Sequence, residues 1–230
     1  MIITADSLTK DFGPVRAVDD VTFEIEPGRV VGILGPNGSG KTTTLRMLIG
    51  LVTPTSGAAL IGGRRFVDLE SPVRTVGVVL EARAFHPGRT ARDHLRVLAI
   101  EAGVPRARVD EVLALVDLTE AADRRAGTFS LGMGQRLSLA GALLADPEIL
   151  ILDEPTNGLD PAGMRWLRLL LRELAGEGRT VIVSSHVLAE MQRTVDEVLI
   201  LDRGRLLSHL AVADVDSLED AFLDLTGGAR

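Results

Sequence analysis

Cysteine is absent from this chain. That excludes a disulfide framework and is compatible with a reducing compartment. Aromatic residues make up only 3% of the sequence, with one tryptophan and no tyrosine. The core must therefore be aliphatic, and a hydrophobic content of 46% is ample for it. Lysine is nearly missing: Lys10 and Lys41 alone stand among 25 basic residues, the rest being arginine. No apolar run approaches the roughly 18 residues of a membrane span. The start, Met1 to Asp6, lacks the charged and apolar segments of a signal peptide. A basic excess is lacking too. The net charge of −7 and a pI near 5.2 argue against a nucleic-acid partner. These absences point to a cytoplasmic protein, and any work at a membrane needs spanning helices from another chain. The 230 residues allow one large domain, or a domain with a subdomain.

What is present centres on Gly35-Pro36-Asn37-Gly38-Ser39-Gly40-Lys41-Thr42, which fits the phosphate-loop pattern G-x-x-x-x-G-K-[ST]. Val30 to Leu34 before it is a short apolar run that reads as a buried parallel strand. After it, Leu45, Leu48 and Ile49 recur at helical spacing up to Gly50. Glycines let backbone N–H groups turn inward around phosphate oxygens, where a Cβ would clash. The following helix turns its positive end toward the anion. In this pattern Lys41 reaches the β- and γ-phosphates of ATP, Thr42 ligates Mg²⁺, and Thr43 lies at the α-phosphate. A chain that writes nearly every cation as arginine keeps lysine where a compact ammonium suits phosphate.

Ile2–Ala5 and Val21–Ile25 read as strands of a small N-terminal sheet, followed by short strands at Ala58–Ile61 and Val76–Leu80. Helical spacing then dominates, with Thr90 capping a helix through Ala99, Pro105 opening another to about Val116, and Ser130 preceding a third. Strands return at Ile149–Leu152, Thr180–Val183 and Val198–Leu201, separated by helices after Pro161 and His186. Leu218–Leu225 reads as a short amphipathic helix. The strand Ile149–Leu152 ends in Asp153-Glu154. Beside a phosphate loop, Asp153 is placed to hold Mg²⁺ and Glu154 to orient and deprotonate the attacking water.

The order of these motifs resembles the ATP-binding subunit of an ABC transporter over nearly the whole chain. Phe129-Ser130-Leu131-Gly132-Met133-Gly134-Gln135-Arg136 resembles the family signature, with Leu131 where a glycine is usual. Taken alone, Ser130 reads as a plain helix cap. The resemblance makes Ser130, Gly132 and Met133 contacts to the γ-phosphate held by a partner copy. It makes Asp160, at the end of Pro155-Thr156-Asn157-Gly158-Leu159-Asp160, a residue of the dimer interface, and His186 the switch histidine. Phe12, beside Gly13, stands where the family often stacks an aromatic ring on adenine, and Val18 joins it in the nucleotide site. Glu81 stands where a glutamine usually ligates Mg²⁺. Val76–Glu81 followed by Phe85-His86-Pro87, with the signature variant, resembles the branch serving drug, bacteriocin or antibiotic exporters.

The resemblance implies an α/β fold: a phosphate-loop, RecA-like ATPase core with an N-terminal antiparallel β-subdomain and an inserted α-helical subdomain. Residues 1–230 then form one domain, with the helical subdomain at about 84–146 between core segments 1–83 and 147–230. It implies ATP and Mg²⁺, a head-to-tail homodimer enclosing the nucleotides, and a separate permease docked near Glu81 to Arg92 at the cytoplasmic face of the membrane. The alternative is a soluble ABC-type ATPase of DNA repair or ribosomes. Such proteins usually carry two cassettes or a long coiled-coil insertion, which 230 residues do not accommodate. A kinase lacks the segments at Ser130 and His186, and a nucleotide-sensing module would lack the base that Glu154 supplies.

Overall fold

The computed structural model describes residues 1–80 and 85–227. Strands β1 (Ile3–Phe12) and β2 (Val15–Ile25) form a hairpin that turns at Gly13. Strand β3 (Val30–Leu34) leads into helix α1 (Lys41–Leu48). Next come β4 (Ser56–Ile61), the short α2 (Pro72–Thr75) and β5 (Val76–Val79). Helices α3 (Ala91–Glu101), α4 (Ala107–Leu115) and α5 (Leu131–Leu143) come after them. The rest is β6 (Ile149–Asp153), α6 (Pro161–Gly176), β7 (Thr180–Ser185), α7 (Leu188–Thr194), β8 (Glu197–Asp202), β9 (Arg205–Ala211) and α8 (Leu218–Thr226).

Two sheets result. The smaller is antiparallel in the order β2-β1-β4. The larger has six strands in the order β5-β6-β7-β3-β8-β9, all parallel except β9. The parallel strands are nearly all apolar because both faces are covered. The period of two still sorts their side chains. Val31, Ile33, Ile149, Ile151, Ile182 and Leu199 join one core, with Leu45 and Leu48 of α1 and Ile3, Leu8 and Ile25 of the small sheet. Val30, Leu34, Leu150, Leu152, Val181 and Ile200 face the other way, onto Leu95, Leu137, Leu143, Leu167 and Leu171 of the helices. The result is three layers, with the large sheet in the middle. A fully buried leucine in either core contributes about 1.5–3 kcal/mol.

Four helices start where a short polar side chain caps the first turn. The Thr90, Ser130 and Ser217 hydroxyls accept from Asp93 N, Met133 N and Asp220 N, and Asp160 Oδ1 accepts from Gly163 N. The helices read from sequence begin within two residues of their expected positions, whereas the short α2 (Pro72–Thr75) was not expected.

The strands differ more. β1 and β2 run well past Ile2–Ala5 and before Val21, because register shifts near Ser7 and Asp20, both at positive φ, break the alternation that reveals a strand. β9 was not apparent from sequence. Its residues alternate between exposed and half-buried, and it is held by pairing with β8 at the sheet edge.

Candidate functional site

Three parallel neighbours, β3, β7 and β6, end side by side, and the site is assembled from the segments that leave their carboxyl ends. Open α/β sheets bind ligands at this edge.

The loop after β3 is a cradle. Gly40 has φ +103 and Gly38 φ +82, in the region that favours glycine. At Gly35 a Cβ would stand 2.3 Å from Ser39 Oγ and from Leu201 O, so no other residue fits without displacing backbone. Neighbouring strands brace the loop. A Gly40 Cβ would meet Ala17 O at 2.7 Å, and Gly204 N donates to Ser39 O at 3.1 Å. Val18 is fully buried, 3.4 Å from that same Cβ position, so it supports the loop from below. Ser39 Oγ is buried with no hydrogen-bond partner, a donor in want of an acceptor inside the loop. Asn37 and Pro36 are exposed at its rim, and Thr43 sits partly buried on the first turn of α1. This arrangement fits a bound polyphosphate.

Lys41 is only 6% exposed. Its Nζ donates to Gly35 O at 2.8 Å and Pro36 O at 3.2 Å, and lies 3.7 Å from Glu154 Oε1. The ammonium thus rests on carbonyls of the loop it serves. Thr42 Oγ1 donates to Asp153 Oδ2 at 2.7 Å. Their oxygens converge, which suits a hard cation. Among the described residues no group of three or more His, Cys, Asp or Glu side chains could hold a metal ion. One carboxylate and one hydroxyl beside a phosphate loop is the set that suits Mg²⁺, which takes its other oxygens from phosphate and water.

Glu154 leaves β6 at φ +49, a strained conformation for a non-glycine residue. Its N–H donates to Ser184 Oγ at 2.9 Å, and that hydroxyl in turn donates to Asp153 Oδ1. Ser184 is fully buried on β7, in register with Asp153. It fixes both carboxylates, and no sequence motif marks it. Its only signal is its place at the end of a strand, which has meaning once β6 and β7 are paired. The loop after β7 brings His186, whose Nδ1 lies 2.9 Å from Glu154 Oε2. Lys41, Thr42, Asp153, Glu154 and His186 therefore form one contact network.

Ser130, Gly132, Met133 and Asp160 are elsewhere. They line a groove of about 480 Å³ that includes none of residues 35–43. Phe12 is half exposed at the β1–β2 turn, with Lys10 Nζ 5.0 Å from its ring centre. Glu81 lies outside the described residues.

A phosphate-loop ATPase is the class that this sheet edge defines. Within it, residues 18–157 match the family model described as ABC transporter. The bacitracin transport ATP-binding protein BcrA of Bacillus licheniformis is 44% identical over 212 residues, covering 91% of this chain and 69% of that protein. The lantibiotic transport ATP-binding protein SrtF of Streptococcus pyogenes is 34% identical, covering 96% of each. Among solved structures, an ATP-binding subunit of an ABC transporter superposes with a TM-score of 0.89 at 28% identity, over 98% of this chain and all of that one. A dimeric post-hydrolysis state of the ATP-binding cassette MJ0796, bound to ADP and phosphate, gives 0.83 at 27% identity, over 91% of this chain and 98% of that one. The chain belongs to the ABC transporter family, as an ATP-binding subunit that hydrolyses ATP.

Proposed function

We propose that this chain powers a separate membrane permease that exports an antibiotic, drug or peptide. The observation that carries the reading is the contact network of Lys41, Thr42, Asp153, Glu154 and His186, set apart from a second groove at Ser130 and Asp160. The names of the bacitracin and lantibiotic relatives support the cargo class.

ATP enters with its phosphates in the loop of residues 35–43. Lys41 exchanges the carbonyls of Gly35 and Pro36 for β- and γ-phosphate oxygens, which are stronger acceptors for an ammonium. That move also lifts its charge from Glu154. Glu154 then takes the proton of the attacking water, while the hydrogen bond to His186 Nδ1 holds its carboxylate in place. Thr42 and Asp153 hold Mg²⁺, which supplies neutralisation of phosphate charge when bound. Phe12, exposed at a hairpin tip, stacks on adenine.

A second copy, related head to tail, completes each site with its Ser130, Gly132, Met133 and Asp160. Their groove contains no phosphate-loop residue of their own chain, which favours a role toward another copy's nucleotide. Helices α3, α4 and α5 belong to the helical subdomain that meets the permease. Leu80, which leads into the 81–92 segment, lines an apolar groove of about 550 Å³ with Val78, His94, Leu98 and Ala142. No helix among the described residues is long and apolar enough to cross a membrane. The chain works at the cytoplasmic face through its permease.

The test is Glu154→Gln. The amide keeps the shape but cannot accept the proton. It should bind ATP, stop turning over and elute as an ATP-dependent dimer in size-exclusion chromatography with Mg²⁺. A variant that binds ATP yet stays monomeric counts against the sandwich.

A further inference from the structure

Arg136 closes the signature-like stretch but was given no role above, and it sits on the second turn of α5. Its guanidinium carbon is 4.2 Å from the centre of the Trp166 ring, on α6. One of its nitrogens donates to Val116 O at 3.1 Å and to Asp117 Oδ2 at 2.9 Å, just past α4. One side chain thus joins three helices. Arg136 is 19% exposed and lines the groove that holds Ser130 and Asp160.

The same two helices also meet at their tips. A Cβ on Gly158 would stand only 1.9 Å from Leu131 Cδ2, and one on Gly132 would stand 3.3 Å from Leu159 Cδ2. Leu131 therefore needs a glycine at 158 to lie against. The N-terminus of α5, capped by Ser130, and the loop that ends in Asp160 at the N-cap of α6 are packed as one piece. It is held at the tip by Leu131 over Gly158 and at the base by Arg136 over Trp166.

We propose that Arg136 is a positioning residue for ATP hydrolysis: clamped between Trp166 and the end of α4, it keeps Ser130 and Asp160 in fixed register, so that both reach the partner copy's nucleotide together. A guanidinium suits this place because it stacks on an aromatic face while its edge still donates hydrogen bonds. Without it the base of the pair is released, and the two helix N-termini present themselves independently. Nucleotide loading depends on residues 35–43 and is untouched; closure on the partner is not.

The proposal rests on the reading of Ser130 and Asp160 as groups that serve a second copy. Its test is Arg136→Ala, Arg136→Lys, Trp166→Phe and Trp166→Ala in the full chain, with ATP turnover and binding of a fluorescent ATP analogue measured in parallel, and Trp166 emission recorded for wild type and the two Arg136 variants, where loss of the stacked guanidinium should shift it. Trp166 is the only tryptophan, so its emission reports the contact without labelling.

Arg136→Ala should lower kcat about tenfold, the scale of one partly desolvated cation–π contact with a charge-assisted hydrogen bond. ATP affinity should stay within about twofold. Arg136→Lys should fall between it and wild type, and Trp166→Phe, which keeps a ring, should stay near wild type. Arg136→Ala combined with Trp166→Ala should be no slower than Arg136→Ala alone, since both break one contact. A wild-type rate in Arg136→Ala, a parallel loss of ATP affinity, or additive effects in the double variant would each overturn the proposal. If Arg136→Ala does not fold, Trp166→Ala breaks the same contact and is held to the same outcomes. Ser130→Arg tests the underlying reading separately. Normal hydrolysis there removes that reading, whereas an inactive Ser130→Arg beside a normal Arg136→Ala removes only the role of Arg136.

Discussion

Ser184→Ala removes one oxygen, and the structure says what that oxygen does. The hydroxyl is fully buried, accepts from Glu154 N at 2.9 Å and donates to Asp153 Oδ1. Alanine leaves a backbone donor and a carboxylate oxygen without that partner. A buried group left unsatisfied costs about 1–3 kcal/mol, and more when it is charged, so the fold should lose about 3 kcal/mol. For a chain of this length that is a fall of about 6–12 °C in thermal midpoint. The catalytic effect has a different origin. Glu154 sits at φ +49, and its N–H bond to Ser184 is what holds it there. Released, the backbone relaxes and the carboxylate leaves the line to His186. Asp153, the proposed Mg²⁺ ligand, loses its orienting hydroxyl as well. Loss of a group that orients a metal ligand typically costs 10–100-fold, so kcat should fall by about that factor while ATP affinity changes little. Differential scanning calorimetry and steady-state ATPase rates at saturating ATP measure the two effects. A variant with the wild-type rate would refute the idea that Ser184 sets the position of the two carboxylates, whatever its midpoint.

Lys41→Ala should weaken ATP binding by about ten- to a hundredfold, through loss of charge-assisted contacts to phosphate; unchanged binding of a fluorescent analogue would take Lys41 out of the site. Ser130→Arg should leave ATP binding to the isolated chain intact and abolish hydrolysis, because the groove at Ser130 is closed to a partner; parallel loss of both would return Ser130 to its own fold. His94 gives a pH effect. The residue is 8% exposed, with Nδ1 lacking a hydrogen-bond partner, and burial, with Arg89 nearby, holds it below the ordinary 6.5. Below that pH the unfolded chain takes up a proton that the folded chain still refuses, so stability falls as pH drops through 6.5 toward the lowered folded value. Thermal midpoints of wild type should fall more steeply than those of His94→Gln between about pH 7.5 and 5.5, and parallel curves would refute this.

The local sequence determined the pieces of this protein. The spacing of Gly35, Gly40, Lys41 and Thr42 is set by the steric needs of a loop around phosphate, and such needs are met within a few residues of chain. Helix starts at Thr90, Ser130 and Asp160 were legible for the same reason: a cap acts on an N–H three residues away. Apolar runs marked β3, β6, β7 and β8, since a strand buried on both faces tolerates little else. Only the tertiary structure decided how these pieces meet. The order β6-β7-β3 brings Asp153, Ser184 and Thr42 together across more than a hundred residues, and a period of two in one segment carries no record of its neighbour. The brace under Gly40, the edge strand β9 and the seat of Arg136 on Trp166 were equally illegible. Each rests on contacts between segments far apart in the chain, and such contacts exist only once the backbone has closed on itself.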